Sequence, residues 1–163
     1  MAHYRTTIRS SKPTGEAFAY MSDLRNFDEW DPGTVSAVQV MGGGPGLAAE
    51  YDLSVKGPVG NLEFRYVTTE FDPPRRFVVK GTNRFFTSID TITVEPATGD
   101  KGAGSIVGYH AELLLNGPLS IFDKLLAKGF QGPGDKAAAG LERVLDGTIV
   151  DPGVQPVSNG NDQ

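Results

Sequence analysis

The sequence contains no cysteine and only two histidines, His3 and His110, among its 163 residues. Without cysteine the chain forms no disulfide, thiolate metal site or iron–sulfur cluster, and it offers no thiol nucleophile. With two histidines, a site built from several histidine ligands is excluded as well, so we expect no metal and no cofactor. Any function therefore depends on shape, hydroxyl groups, carboxylates and a few cations.

The chain also has little positive charge and no long hydrophobic run. Its 15 Lys and Arg residues are outnumbered by 20 Asp and Glu residues, which gives a net charge of −5. Because nucleic acids attract basic surfaces, we expect no nucleic-acid partner. The strongest apolar run, near 113–115, is far too short to cross a bilayer, and the amino terminus lacks a signal-peptide pattern. The sequence predicts a soluble cytoplasmic protein, a monomer or weak homodimer without stable membrane insertion.

Glycine and proline divide the chain into short segments. Residues 3–10 alternate between apolar and polar and predict a first strand. Pro13 opens a helical stretch, and a second short helix runs through Phe27 and Trp30. From 35 to 116 the period is two, which predicts six antiparallel strands with one apolar face.

A helical period returns at Leu119 and continues to about 147, with an expected kink at Gly132-Pro133-Gly134. Residues 148–163 are poor in large apolar groups, which predicts a disordered tail. We therefore predict a single α+β domain over residues 1–147. It has about seven strands in the order β-α-α-β6-α, forming a curved antiparallel sheet around a long C-terminal helix. One helix does not fill the concave side of such a sheet, so an internal cavity for a small molecule is expected.

Several short motifs accompany this order of elements: Pro13-Thr14-Gly15-Glu16-Ala17-Phe18, Trp30, Asp72-Pro73-Pro74-Arg75-Arg76-Phe77, and Glu95-Pro96 to Gly104-Ser105. With the terminal amphipathic helix, they resemble the SRPBCC superfamily, also called START-like or helix-grip proteins. The resemblance covers about residues 3–147 and implies a bacterial stand-alone single-domain member with a deep apolar cavity roofed by the last helix. The superfamily includes carriers, hormone receptors and polyketide cyclase/dehydrase proteins, so the fold does not choose a function.

Asp90 is the most informative residue of the predicted sheet. Alternation over 87–96 places Asp90 on the inner face with Ile92 and Val94. Since an isolated buried charge is costly, Asp90 needs a partner or a raised pKa, and it becomes a candidate general base, acid or ligand anchor. The alternative is a carboxylate at the strand end that reaches water or pairs with Arg84 or Lys80 at the rim. A shift of one residue in register also turns it outward.

Aromatic and aliphatic side chains complete the predicted ligand-binding set. Besides Asp90, it consists of Trp30, Tyr51, Leu53, Phe64, Tyr66, Phe77, Ile92, Tyr109, Leu113, Phe122, Leu126 and Phe130. Each tyrosine is alternatively an ordinary core residue, and Trp30 a structural plug. Leu126, Phe130 and the break at 132–134 are also the candidate moving element that admits a ligand, with a static kink as the alternative.

These observations favour binding of a small to medium hydrophobic molecule, which is lipid-, polyketide- or aromatic-like. The second hypothesis is a metal-free aromatase/cyclase- or dehydratase-like enzyme, in which Asp90 and Tyr109 or Tyr66 transfer protons. A third is an interaction module that uses the convex sheet face with His110 and Glu112. Because reactive groups are few, a carrier is favoured over a catalyst.

Overall fold

An antiparallel sheet is the main element of the computed structural model, which describes residues 1–98, 104–129 and 131–151. Within these residues the sheet has eight strands in the spatial order β2-β3-β4-β5-β6-β7-β1-β8. The strands are β1 Ala2–Ser10, β2 Thr34–Met41, β3 Glu50–Gly57, β4 Gly60–Asp72, β5 Arg76–Thr82, β6 Phe86–Pro96, β7 Ser105–Leu115 and β8 Gly147–Asp151.

The described helices are short and lie at two places in the sequence. They are α1 Thr14–Met21, α2 Phe27–Trp30, α3 Asp123–Gly129 and α4 Gln131–Val144, with 3-10 turns at Leu24–Asn26 and Gly117–Phe122. This arrangement confirms the predicted helix-grip α+β fold, with one strand more than expected. No helix in the described ranges is long and apolar enough to span a membrane.

The alternation of side chains divides the sheet into an inner and an outer face. On β6, Ser88, Asp90, Ile92 and Val94 are all buried, and on β1 every second residue is buried. The inner face carries the hydrophobic core, against which α1, α2 and α4 pack. Core residues of these helices are Ala17, Phe18, Met21, Phe27, Trp30, Ala137 and Leu141.

The described C-terminal segment is helical where a kink or brief break was expected. A 3-10 turn over Gly117–Phe122 is followed by α3 Asp123–Gly129 and α4 Gln131–Val144, and Phe130 lies outside the described residues. No break is found at Gly132-Pro133-Gly134, because these residues lie within α4. Pro133 has no N–H to donate to the carbonyl four residues before it, so one helical hydrogen bond is missing there.

The boundary of the predicted tail was wrong by several residues. Residues 147–151 form β8, which pairs with β1 at Ile8↔Ile149 and Ser10↔Gly147. Thr148, Ile149 and Val150 are β-branched residues that favour a strand, a signal outweighed in our prediction by the surrounding Gly, Pro and Asp. Residues 152–163 of the predicted tail lie outside the described residues.

The junction between α2 and α4 depends on a glycine. A Cβ added at Gly140 would overlap the backbone carbonyl of Trp30, whereas a Cβ at Gly15 in α1 would meet nothing. We therefore expect Gly140→Ala to lower the free energy of unfolding by about 2 kcal/mol, because backbone rather than a flexible side chain must move.

The matched control, Gly15→Ala, should raise the free energy of unfolding by about 0.5 kcal/mol, since alanine restricts the unfolded chain. Urea unfolding of both variants measures the difference. Equal effects of the two substitutions would show that α4 does not pack on α2 as described.

Candidate functional site

A cavity of about 330 Å³ lies between the sheet and the helices. Its walls come mainly from β3, β4, β6 and β7, with Phe27 of α2 and Pro133 of α4. The exposed residues Lys56, Pro58 and Gly129 line its mouth. The large apolar side chains of the sheet that line it are Leu53, Val55, Leu62, Phe64, Phe86 and Leu113. The predicted internal cavity is therefore present.

Asp90 is the buried polar centre of this cavity. Its side chain is on the inner face of β6, and the residue is 3% exposed. The Tyr109 hydroxyl donates to Asp90 Oδ1 at 3.0 Å, and the Ser88 hydroxyl donates to Oδ2 at 3.3 Å. The inward orientation predicted for Asp90 is confirmed, and the alternative of a rim carboxylate is not.

Strand register brings these groups together. Tyr109 lies opposite Ile92, and Asp90 lies opposite Ala111, so Tyr109 and Asp90 are diagonal neighbours on one face. Such a diagonal is within reach of a long aromatic side chain. Ser88 precedes Asp90 by two residues on β6 and therefore shares its face. The Trp30 ring packs edge-on against the Tyr109 ring at 5.4 Å and supports it from the side.

Burial controls the ionisation of the polar groups. It raises the pKa of Asp90 to about 6, an effect opposed by the hydrogen bonds from Tyr109 and Ser88 and reinforced by the charge of Asp31. Burial and the nearby Asp90 charge raise the pKa of both Tyr66 and Tyr109 well above the usual value. At neutral pH the Asp90 carboxylate is therefore mainly ionised, and the two phenols beside it are protonated.

A glycine makes room for the second phenol. Tyr66 lies opposite Gly81 in the β4–β5 pair, and a Cβ at Gly81 would overlap the Tyr66 ring. The ring thus lies across the backbone of β5, which leaves its hydroxyl near Ser88 and Asp90. The isolated Gly81 inside a strand was a sequence signal for this close approach.

Asp31 is a second cavity carboxylate that sequence reasoning missed. Its neighbours Asp28 and Glu29 are exposed, whereas Asp31 lines the cavity. Asp31 accepts hydrogen bonds from the Gly33 N–H at 2.8 Å and the Thr34 hydroxyl at 2.9 Å. Burial raises the pKa of Asp31, and Lys56 at the cavity mouth opposes that rise. The Asp-Pro-Gly-Thr sequence was the available signal, since Asp commonly caps such turns.

The structure brings six of the predicted ligand-binding residues to the cavity wall: Leu53, Phe64, Tyr66, Asp90, Tyr109 and Leu113. Their role in binding stays a prediction. Val55, Leu62 and Phe86 also line the cavity, although the predicted set did not include them.

The other predicted residues lie elsewhere. Trp30 of α2 and the strand residues Tyr51, Phe77 and Ile92 are fully buried in the core and do not line the cavity. Phe122 is 53% exposed in the 3-10 turn, since the helix expected to carry it inward starts later. The side chain of Leu126 and all of Phe130 lie outside the described residues, so the gating hypothesis at 126–134 stays a prediction.

A family model described as polyketide cyclase/dehydrase and lipid transport matches residues 1–146. The protein therefore belongs to this family, and the predicted SRPBCC/START-like assignment is confirmed. A search of curated proteins found no match. Membership supports a ligand-binding or cyclase-like role.

Solved structures show the same fold at low sequence identity. The protein TTHA0849 from Thermus thermophilus is similar with a TM-score of 0.69 and 17% identity, covering 88% of this chain and 96% of that one. A START superfamily protein from Mycobacterium smegmatis has a TM-score of 0.66 and 12% identity, covering 90% and 98%. The di-domain ARO/CYC BexL of the BE-7585A biosynthetic pathway has a TM-score of 0.60 and 16% identity. That match covers 88% of this chain but 47% of BexL.

The raised pKa of Asp90 predicts a pH-dependent stability. The folded protein, with a pKa of about 6, holds this proton more tightly than the unfolded chain, with 3.8. Stability should therefore fall as pH rises from about 4 to about 6, by about 3 kcal/mol for this group. Asp90→Asn has no carboxyl group at this position, so its stability lacks this pH-dependent loss. Relative to wild type, the free energy of unfolding of the variant should therefore rise by this amount over the same pH interval.

Denaturant unfolding of both proteins across this interval measures the difference, and Asp28→Asn, an exposed carboxylate, is the matched control. A difference between wild type and Asp90→Asn that does not change with pH would contradict the buried position of Asp90.

Proposed function

We propose that the protein binds a compact, mostly apolar molecule that carries one hydrogen-bond donor, with the donor end placed at Asp90. The observation that supports this most directly is the pairing of an apolar-walled cavity with one buried carboxylate at its polar centre. Ligand pockets commonly combine an apolar lining with a few placed polar groups.

The acceptor capacity of Asp90 supports a donor on the ligand. An ionised carboxylate has about four lone-pair sites. Tyr109 and Ser88 use two of them, and Tyr66 is close enough to contribute another hydrogen bond. A ligand hydroxyl therefore finds an acceptor, whereas a ligand carboxylate would meet the charges of Asp90 and Asp31.

The size of the cavity limits the apolar part. A volume of about 330 Å³ is at the lower end of the range for small-molecule pockets, which is roughly 300–1,000 Å³. Burial of apolar surface contributes about 25 cal/mol per Å², so a ligand of one or two rings or a short chain gains enough for measurable affinity. Lipid-, polyketide- and aromatic-like molecules of this size are all compatible with the site.

A pair of aromatic probes that differ in one group tests the proposal. 2-Naphthol carries a hydroxyl where 2-methylnaphthalene carries a methyl group. We expect wild type to bind 2-naphthol about tenfold more tightly at about pH 7.5, because only the hydroxyl satisfies Asp90. Asp90→Asn should reduce this preference to about twofold or less. Equilibrium dialysis with fluorescence detection gives both affinities.

The control Asp28→Asn should keep the wild-type preference for 2-naphthol. Leu62→Trp fills the cavity beside Phe64 and should weaken the binding of both probes. Equal affinity of wild type for the two probes would contradict the role of Asp90. Affinities unchanged by Leu62→Trp would place binding outside the cavity.

A second candidate function is proton transfer in a cyclase-like enzyme. It is supported by the pKa of about 6 at Asp90, which is close to the value expected of a base that works near neutrality. In this mechanism Asp90 removes a proton from the carbon beside a ligand carbonyl. Once Asp90 is protonated, the Tyr109 O–H turns away from it and donates a hydrogen bond to the resulting enolate oxygen. The likeness to the ARO/CYC protein BexL agrees with this chemistry but shows the fold alone.

Hydrogen–deuterium exchange of phenylacetone, followed by proton NMR, tests this second function. An enzyme should accelerate exchange beside the carbonyl, and Asp90→Asn should reduce the accelerated rate by about 100-fold. The rate should rise with pH and level off above about 6, because the ionised carboxylate is the base. Binding of phenylacetone without accelerated exchange would contradict the enzymatic function and agree with the carrier function.

A further inference from the structure

The outer face of the sheet carries a cluster of three potential metal ligands. His110 and Glu112 are two residues apart on β7, and His3 lies directly opposite Glu112 on β1. Side chains two apart on a strand share a face, so the pairing register brings all three together. This face is opposite the cavity, since the cavity is lined from β7 by Tyr109, Ala111 and Leu113.

The distances within the cluster are close to those of a metal site. His3 Nδ1 lies 3.8 Å from Glu112 Oε2, and His110 Nδ1 lies 3.7 Å from Glu112 Oε1. The ligand atoms of all three residues lie within 4.8 Å of one another. Two ligands about 2.0–2.1 Å from a tetrahedral ion are about 3.4 Å apart. Small side-chain rotations therefore suffice to close the site.

Neither imidazole is held in place by a hydrogen bond to the carboxylate. Separations of 3.7 and 3.8 Å are too long for one. The two rings are stacked, with centroids 5.7 Å apart and planes 15° from parallel, which is unfavourable if both are protonated. A cation between the ring nitrogens and the carboxylate would satisfy all three groups at once.

The adjoining strands show which charges face the cluster. Among the register partners of these residues, Arg5 opposite His110 on β1 is a positive charge that disfavours a cation. The β6 residues opposite His110 and Glu112 are Thr91 and Ile89, which are uncharged.

We propose that His3, His110 and Glu112 bind one divalent transition-metal ion of the Zn²⁺ type, joining β1 to β7. Two imidazoles and a carboxylate suit a borderline-soft ion, and three protein ligands leave a fourth position for solvent or an external ligand. This site departs from the sequence-based expectation of no metal. That expectation counted histidines but not the carboxylate that strand pairing places between them. The proposal is independent of the cavity function.

Calorimetric titration of the metal-free full chain with Zn²⁺, without an added histidine tag, tests the proposal. We expect one ion per chain with a dissociation constant of roughly micromolar order at about pH 7.5. His3→Ala, His110→Ala and Glu112→Gln should each weaken binding by about tenfold or more, because each removes one of three ligands. Lowering the pH to about 5.5 should also weaken it, since the imidazoles must be deprotonated to bind.

Glu95→Gln is the matched control: Glu95 is an exposed carboxylate of β6, and the affinity should stay within about twofold of wild type. Circular dichroism of each variant, recorded without metal, verifies that the fold is kept. Absence of Zn²⁺ binding at about 1 mM would overturn the proposal. Binding that is lost in His3→Ala but kept in His110→Ala and Glu112→Gln would overturn it as well, because the ion would then lie at the chain terminus.

Discussion

The hydrogen bond between the Tyr109 hydroxyl and the Asp90 carboxylate organises the inner face of the sheet. Asp90 is surrounded by apolar neighbours, and an unpaired carboxylate there would cost several kcal/mol. Tyr109 and Ser88 offset that cost without neutralising the charge, so the residue remains both buried and titratable. The cavity can therefore offer a strong acceptor in an apolar environment.

The inner face is divided between solid core and cavity. At one part of it, Phe18 of α1 packs edge-on against Phe77 at 5.8 Å, and helices fill the space above the sheet. At the other part, α2 and the start of α4 cover the sheet only incompletely, and the cavity remains.

Much of the fold was accessible from sequence because it depends on local patterns. Period-two alternation over β3 to β7 identified the sheet and placed Asp90, Tyr66 and Tyr109 inward. The helical period after Leu119 identified the terminal helical segment, although no break is found at 132–134, which lies within α4. Strand β8 was missed because it has five residues and begins with a glycine and ends with an aspartate, so its sequence carries little signal for a strand.

The site was less predictable, because it depends on which inner positions are left uncovered. Phe77 and Ile92 alternate as regularly as Leu53 and Phe64, yet the first pair is fully buried in the core and the second lines the cavity. Asp31 was missed for a related reason: its burial comes from tertiary packing around a turn that looks solvated in sequence. The outer cluster of His3, His110 and Glu112 likewise requires the pairing of the first strand with the last long one, a register that composition does not contain.

The ionisation of Asp90 itself is the quantity on which the cavity's proposed chemistry depends. Carbon-13 NMR of the aspartate carboxyl groups over a pH titration, with the Asp90 signal identified from its loss in Asp90→Asn, measures it directly. We predict a midpoint near 6, shifted further upward in Tyr109→Phe because a stabilising hydrogen bond is removed. A midpoint near the ordinary aspartate value of 3.8, unchanged in Tyr109→Phe, would contradict a buried carboxylate at the centre of the site.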